Sequence, residues 1–162
     1  MEDKDAAAVF SLRGWTHWEH IRDGKVIDVR DFPNAVVNDG KAQVAYMINQ
    51  TNTGTYLPFT YIAIGTGTTT ATATDTALQT EITTAGGGRA SATVSRVTTS
   101  VANDTAQLTK TFTFTTGGTF AVTESGVFNS NTSTPMLCRQ TFAAINVVPN
   151  DTLAVTWKIQ VS

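Results

Sequence analysis

Hydrophobic and polar positions alternate most cleanly at the end of the chain. Leu153, Val155, Trp157, Ile159 and Val161 point one way there, and Thr152, Ala154, Thr156, Lys158 and Gln160 the other. A period of two predicts a half-buried strand over 152–161. The stretch 107–116 repeats the pattern, with Leu108, Phe112 and Phe114 on one face and threonines on the other. Gly117-Gly118 behind it predicts a two-residue hairpin turn of the primed kind. Shorter runs at 61–64, 90–101, 119–123, 126–129 and 136–142 read as further strands. At the start, 9–12 and 15–22 read as extended, and Asp23-Gly24 predicts a hairpin that returns through 25–31 and is broken by Pro33.

The period changes in two places. Val44, Met47 and Ile48 fall at i, i+3 and i+4, which predicts a short helix from Lys41 to about Asn49 with Asn38 or Asp39 as its cap. Asp75 ahead of Leu78 and Ile82 predicts one or two further helical turns, ended by Gly86-Gly87-Gly88. Eight to ten short strands with one or two short helices predict an all-β fold, a single β-sandwich or jelly-roll-like domain. The expected division is a charged N-terminal arm and β-hairpin over 1–39 and a Thr-rich sandwich body over 40–162.

Composition supports the strands and divides the chain. Of 162 residues, 31 are threonine, all but Thr16 lying between Thr51 and Thr156. Threonine is β-branched and suits a pleated surface. Charged residues make up only 15%, against about 25% in an average domain. Of the 24 charged residues, 14 fall within the first 41 positions. The low-charge body fits equally a hydroxyl face that meets water and a face covered by neighbouring subunits.

Several classes fall away. No apolar run is long enough to span a bilayer, and the acidic start Met1 to Asp5 lacks the basic region of a signal peptide. A single cysteine, Cys138, offers neither an internal disulfide nor a metal-site partner. A net charge of -2 argues against nucleic acid as a partner, since phosphate binding needs a basic face.

Candidate chemistry is sparse. His17, His20, Glu19 and Asp23 cluster in sequence, but residues three apart on a strand face opposite sides, so the two histidines cannot share a metal, while His17 and Glu19 share a face. Gly65-Thr-Gly-Thr-Thr-Thr70 follows a strand, as a phosphate loop does, without the Gly-Lys-Ser/Thr ending. Ser125 lacks a nucleophile elbow, and Cys138 reads as inert filling. No catalytic residue, metal or cofactor is expected, and the chain reads as a non-enzyme.

Two stretches carry a resemblance. The first is Tyr61-Ile-Ala-Ile-Gly-Thr-Gly-Thr-Thr69 with Asp75-Thr-Ala-Leu78 and Glu81 after it, preceded by Asn34-Ala-Val-Val-Asn-Asp-Gly40. The second is Val122-Thr-Glu-Ser-Gly-Val-Phe-Asn129, followed by Met136-Leu-Cys-Arg139, Thr141-Phe142 and Asp151 to Trp157. In order and spacing they resemble virion structural proteins of tailed bacteriophages. The resemblance implies a β-rich assembly protein found in the virion and assembled in the host cytoplasm. The expected role is a head decoration or cement protein that binds the major capsid protein and copies of itself, as a homotrimer. A tail, fibre or baseplate component is the alternative. Glu124, beside Gly126, is expected to tie a turn by accepting backbone N–H bonds. The residues expected to reach a partner are Phe10, Trp15, Trp18 and Arg22. A carbohydrate-binding module using Trp15, Trp18 and Tyr56, and a small enzyme built around His17 and Glu19, are the readings from other classes.

Overall fold

The structure, a computed structural model, describes residues 11–48, 57–132 and 135–161; Phe10 and Tyr56 lie outside them. Ten strands and one helix follow in chain order: β1 (Leu12–Arg22), β2 (Lys25–Pro33), β3 (Ala35–Val36), α1 (Asn38–Ile48), β4 (Tyr61–Gly65), β5 (Ala90–Ser91), β6 (Thr93–Val97), β7 (Thr105–Thr113), β8 (Phe120–Phe128), β9 (Met136–Val147) and β10 (Thr152–Val161). They form two five-stranded antiparallel sheets, ordered β2-β1-β10-β7-β6 and β3-β9-β8-β4-β5. The protein is therefore mostly β, as its composition predicts.

Local signals place the clearest elements. Asp23 and Gly24 both take positive φ, 51° and 71°, the left-handed pair that a primed turn requires, and β1 pairs with β2 on either side of them. In β10 the residues Leu153, Val155, Trp157 and Ile159 are all buried, while Val161 at the strand end is exposed. Helix α1 forms where its spacing places it but begins at Asn38, three residues ahead of the expected Lys41, because the Lys41 N–H already bonds back to the Val37 carbonyl. It buries Gln43 and leaves Met47 half exposed, because Gly40 lies on the β9 backbone at Leu137, where a Cβ would collide with the carbonyl.

The largest apolar cluster draws on both sheets. Trp18, Leu108, Phe112, Leu153 and Trp157 come from the first, and Ile62, Ile64, Val122, Val127 and Ile145 from the second. A smaller cluster of Val37, Ala63, Leu78, Phe128 and Met136 forms separately, where α1 and the 66–88 connection meet β4, β8 and β9. Ser125 and Trp157 join the sheets by a hydrogen bond, the indole Nε1 donating to the hydroxyl at 3.2 Å.

Three expectations are corrected. Asp75 starts no helix: the N–H groups of Gln79 and Thr80 go to the Glu124 carboxylate, and that of Ile82 goes to the Ile64 carbonyl, so no i-4 ladder forms. Gly117-Gly118 makes no hairpin. Only Gly117 has positive φ, 85°, the Gly118 N–H returns to the Thr115 carbonyl, and the turn carries the chain from β7 in one sheet to β8 in the other. The run 90–101 is two strands, because the chain changes sheet between β5 and β6 at Ala92. The hairpin expected within 1–39 forms as β1 and β2. Strand β1 sits between β2 and β10, paired with β10 from Leu12 to Ile21.

The place of β1 inside the sheet yields a stability test. Trp18 is fully buried, 4.7 Å from the Phe142 ring, whereas Trp15 is half-buried. Trp18→Ala is expected to destabilise by about 3–5 kcal/mol, as other buried aromatics do, and Trp15→Ala by about 1 kcal/mol; urea unfolding distinguishes them.

Candidate functional site

The residues expected to reach a partner do not come together. Phe10 lies outside the described residues. Trp18 is core, with its indole N–H donated to Thr16 at 2.7 Å. Trp15, three positions earlier on the strand, faces the other way, beside Lys158 of β10. It lines a groove of about 560 Å³ with Arg13, Asp31, Phe32, Pro33 and Asn34, where β2 leaves its sheet. Arg22 stands at the far end of β1, its guanidinium gripping Asp151 through Nε and Nη2 at 2.9 and 2.8 Å. His17 and His20 lie on opposite faces as expected. His17 is on the outer face, 2.9 Å from Asp31 and 3.6 Å from Glu19, and His20 is buried against Asp151 at 2.7 Å. Among the described residues no group of three His, Cys, Asp or Glu side chains could hold a metal, and no helix is long and apolar enough to cross a membrane.

The residues that do converge are those of the two resembling stretches. Glu124, on the interior strand β8, has no exposed surface. Its Oε1 accepts the N–H groups of Gly67 at 3.0 Å and Thr80 at 2.7 Å. Its Oε2 accepts the Gln79 N–H at 3.0 Å and both Nε and Nη2 of Arg139, at 2.9 and 2.8 Å. Arg139 comes from the neighbouring strand β9. Its Nη1 reaches Asp75 at 2.7 Å and its Nη2 also donates to the Thr69 carbonyl at 3.1 Å. Asp75 in turn accepts the Thr72 N–H and hydroxyl, each at 2.9 Å. One buried carboxylate and one buried guanidinium thus pin the 66–80 connection to the sheet by its backbone.

Glycine is required at two points of this clamp. A Cβ on Gly65 would sit 2.6 Å from Glu124 Oε1, and one on Gly67 2.5 Å from the same atom. The Gly65-Thr-Gly67 motif therefore clears space for a carboxylate of the same chain, and a bound phosphate has no part in it. Alternation along β8 gives Ser125 the opposite face. Its hydroxyl donates to the Ala63 carbonyl at 2.7 Å and accepts from Trp157, which leaves it fully buried and in no position to act as a nucleophile.

Electrostatics follow the same structural pattern. The Arg139 guanidinium is held protonated: burial opposes its charge, and the hydrogen bonds it donates to Asp75 and Glu124 outweigh that. Arg22 holds the Asp151 carboxyl well below the usual range, helped by His20 and the Val148 N–H and opposed by burial. Burial also opposes the charge of Asp75, and is outweighed by the Thr72 N–H and Arg139. Burial pushes the Cys138 thiol up, so it stays protonated and unreactive. Arg89 closes its own loop, paired with Glu81 at 2.7 Å and stacked 3.6 Å above the Phe128 ring.

Sequence reasoning found Glu124 as a tie and missed its partners. The His20–Asp151 contact spans 131 positions, and the Arg139–Asp75 contact 64, so no local spacing could reveal either. Compared with protein-family models, curated proteins and solved structures, the chain matches none.

Two outcomes test the clamp and its charges. Glu124→Gln takes from Arg139 its fully buried anion and leaves it Asp75 alone; it is expected to lower stability by about 3–5 kcal/mol in urea, and Gly67→Ala by about 1–3 kcal/mol through crowding. Asp151, depressed in the folded state, stabilises above its unfolded value of roughly 3.9, and that contribution is lost as pH falls toward the folded value. The melting temperature should therefore hold level near neutrality and decline below about pH 4, with a lower plateau and a shallower decline in Asp151→Asn.

Proposed function

We propose that the chain is a non-enzymatic structural protein of a tailed-bacteriophage virion, a head decoration protein that lies on the major capsid protein lattice beside copies of itself. We read its two sheets as a β-sandwich of jelly-roll-like form, with the pairing of β1 and β10, the first and last strands, closing one face. The observation that carries the proposal is the convergence of the resembling residues. Gly65, Gly67, Asp75, Glu124 and Arg139 all belong to the stretches that resemble virion proteins, and they meet in one hydrogen-bonded clamp. Residues scattered over seventy positions that serve one interaction support a shared architecture better than any single motif does.

The mechanism is binding. Many copies, each with a modest contact, hold a lattice through multivalency. The polar centres fit a structural role: Glu124, Asp151 and Ser125 are each saturated by partners of the same chain, which leaves none of them to hold or activate a substrate.

One feature favours a second reading, a carbohydrate-binding module. Trp15, half-buried in the groove with Arg13 and Asp31, offers an aromatic face beside polar groups, the arrangement that stacks on a sugar ring. A glycan array answers this: a signal lost in Trp15→Ala supports sugar binding, and a blank array favours assembly.

The decoration reading predicts that antibodies to the chain label purified particles over the head. Quantitative mass spectrometry should then find on the order of hundreds of copies per particle, as multivalent coverage requires. About a dozen copies confined to the tail would move the protein to the tail, and absence from particles would overturn the proposal.

A further inference from the structure

Strand β2 lies at the rim of its sheet, paired with β1 on one side and, among the described residues, with no strand on the other. Such an edge presents unpaired N–H and C=O groups to any strand able to reach them. Three of its large apolar side chains are half exposed: Val26 at 51%, Ile27 at 50% and Val29 at 52%. The opposite rim, β6, carries one, Val94. A register shift at His20/Ile21 blunts one end of β2 and Pro33 the other, while Asp28 to Phe32 pair residue for residue with β1. The middle of the edge is thus regular and open.

We propose that this edge pairs, antiparallel, with β2 of a second copy about a two-fold axis through Val29. Charge fixes the register. A two-fold axis perpendicular to the sheet keeps like faces together, so the strand can be centred only on one of its own residues. Centred on Val29, Asp28 of each copy faces Arg30 of the other, and Val29 faces Val29. Centred one residue earlier, Asp28 would face Asp28; one later, Arg30 would face Arg30, and like charges directly opposite destabilise a ladder. Within each copy Asp28 and Arg30 already pair at 2.7 Å, on the face shared with Trp18 and His20 of β1. Two such pairs side by side make a square of alternating charge. Both sheets would join into a ten-stranded surface across the axis, whichever particle the protein serves.

Sedimentation equilibrium on the full chain tests this, with circular dichroism to confirm that each variant is folded. The wild type should show a reversible monomer–dimer equilibrium. Val29→Lys, at an exposed position on the axis, should weaken dimerisation by about tenfold or more. Asp28→Arg and Arg30→Asp should each weaken it singly. The double variant D28R/R30D should dimerise again yet fail to mix with the wild type, because a mixed pair sets Asp against Asp and Arg against Arg. A wild type that stays monomeric, an oligomer that V29K leaves unchanged, or free mixing of the double variant with the wild type would each overturn the proposal. None of these outcomes bears on the location of the chain in a particle.

Discussion

The carboxylate of Glu124 is the constraint around which the molecule is arranged. A charge with no exposed surface is costly unless every lone pair is answered, and five hydrogen bonds from four residues answer this one. Meeting that demand dictates much else. Gly65 and Gly67 have to be side-chain-free, Arg139 has to stand on the adjacent strand, and the 66–80 connection has to fold back so that its N–H groups point inward. Because successive residues of a strand face opposite ways, the neighbouring Ser125 is turned toward the other sheet, where it meets Trp157. One dipeptide of β8 thus fastens the outer layer with its first residue and the two sheets with its second.

What could be read from the sequence is what depends on neighbours along the chain. The alternation of β10 and the Asp23-Gly24 turn are decided within a few residues and stand as expected, and α1 forms where its spacing places it, three residues early. The three corrections share a different cause. Asp75 looks like a helix cap until Glu124 claims the N–H groups a helix would use, and Gly117-Gly118 looks like a hairpin until β7 and β8 prove to belong to different sheets. Ala92 carries no mark of a crossing. Long-range partners override local preference in each case. The clamp was legible only in part, since Glu124 announced itself beside Gly126 while Arg139 and Asp75 gave no local sign.

The distribution of charge acquires a meaning from these contacts. Of the ten charged residues after position 41, seven are engaged within the chain: Asp75, Glu81, Arg89, Asp104, Glu124, Arg139 and Asp151. The body is thus poor in charge at its surface and rich in it at its joints. Gly65, Gly67 and the stretches around Glu124 and Arg139 belong to these joints.

The 66–80 connection shows where that freedom lies. It is held through main-chain N–H groups and by the side chains of Gln79 and Asp75, while Thr68, Thr69, Thr70, Thr72 and Thr74 point outward, exposed. A loop gripped by its backbone is indifferent to most of the side chains it displays. Its threonines can be exchanged for other side chains, charged ones included, at little cost to folding, so the segment can change its surface chemistry while the sheet beneath it stays as it is.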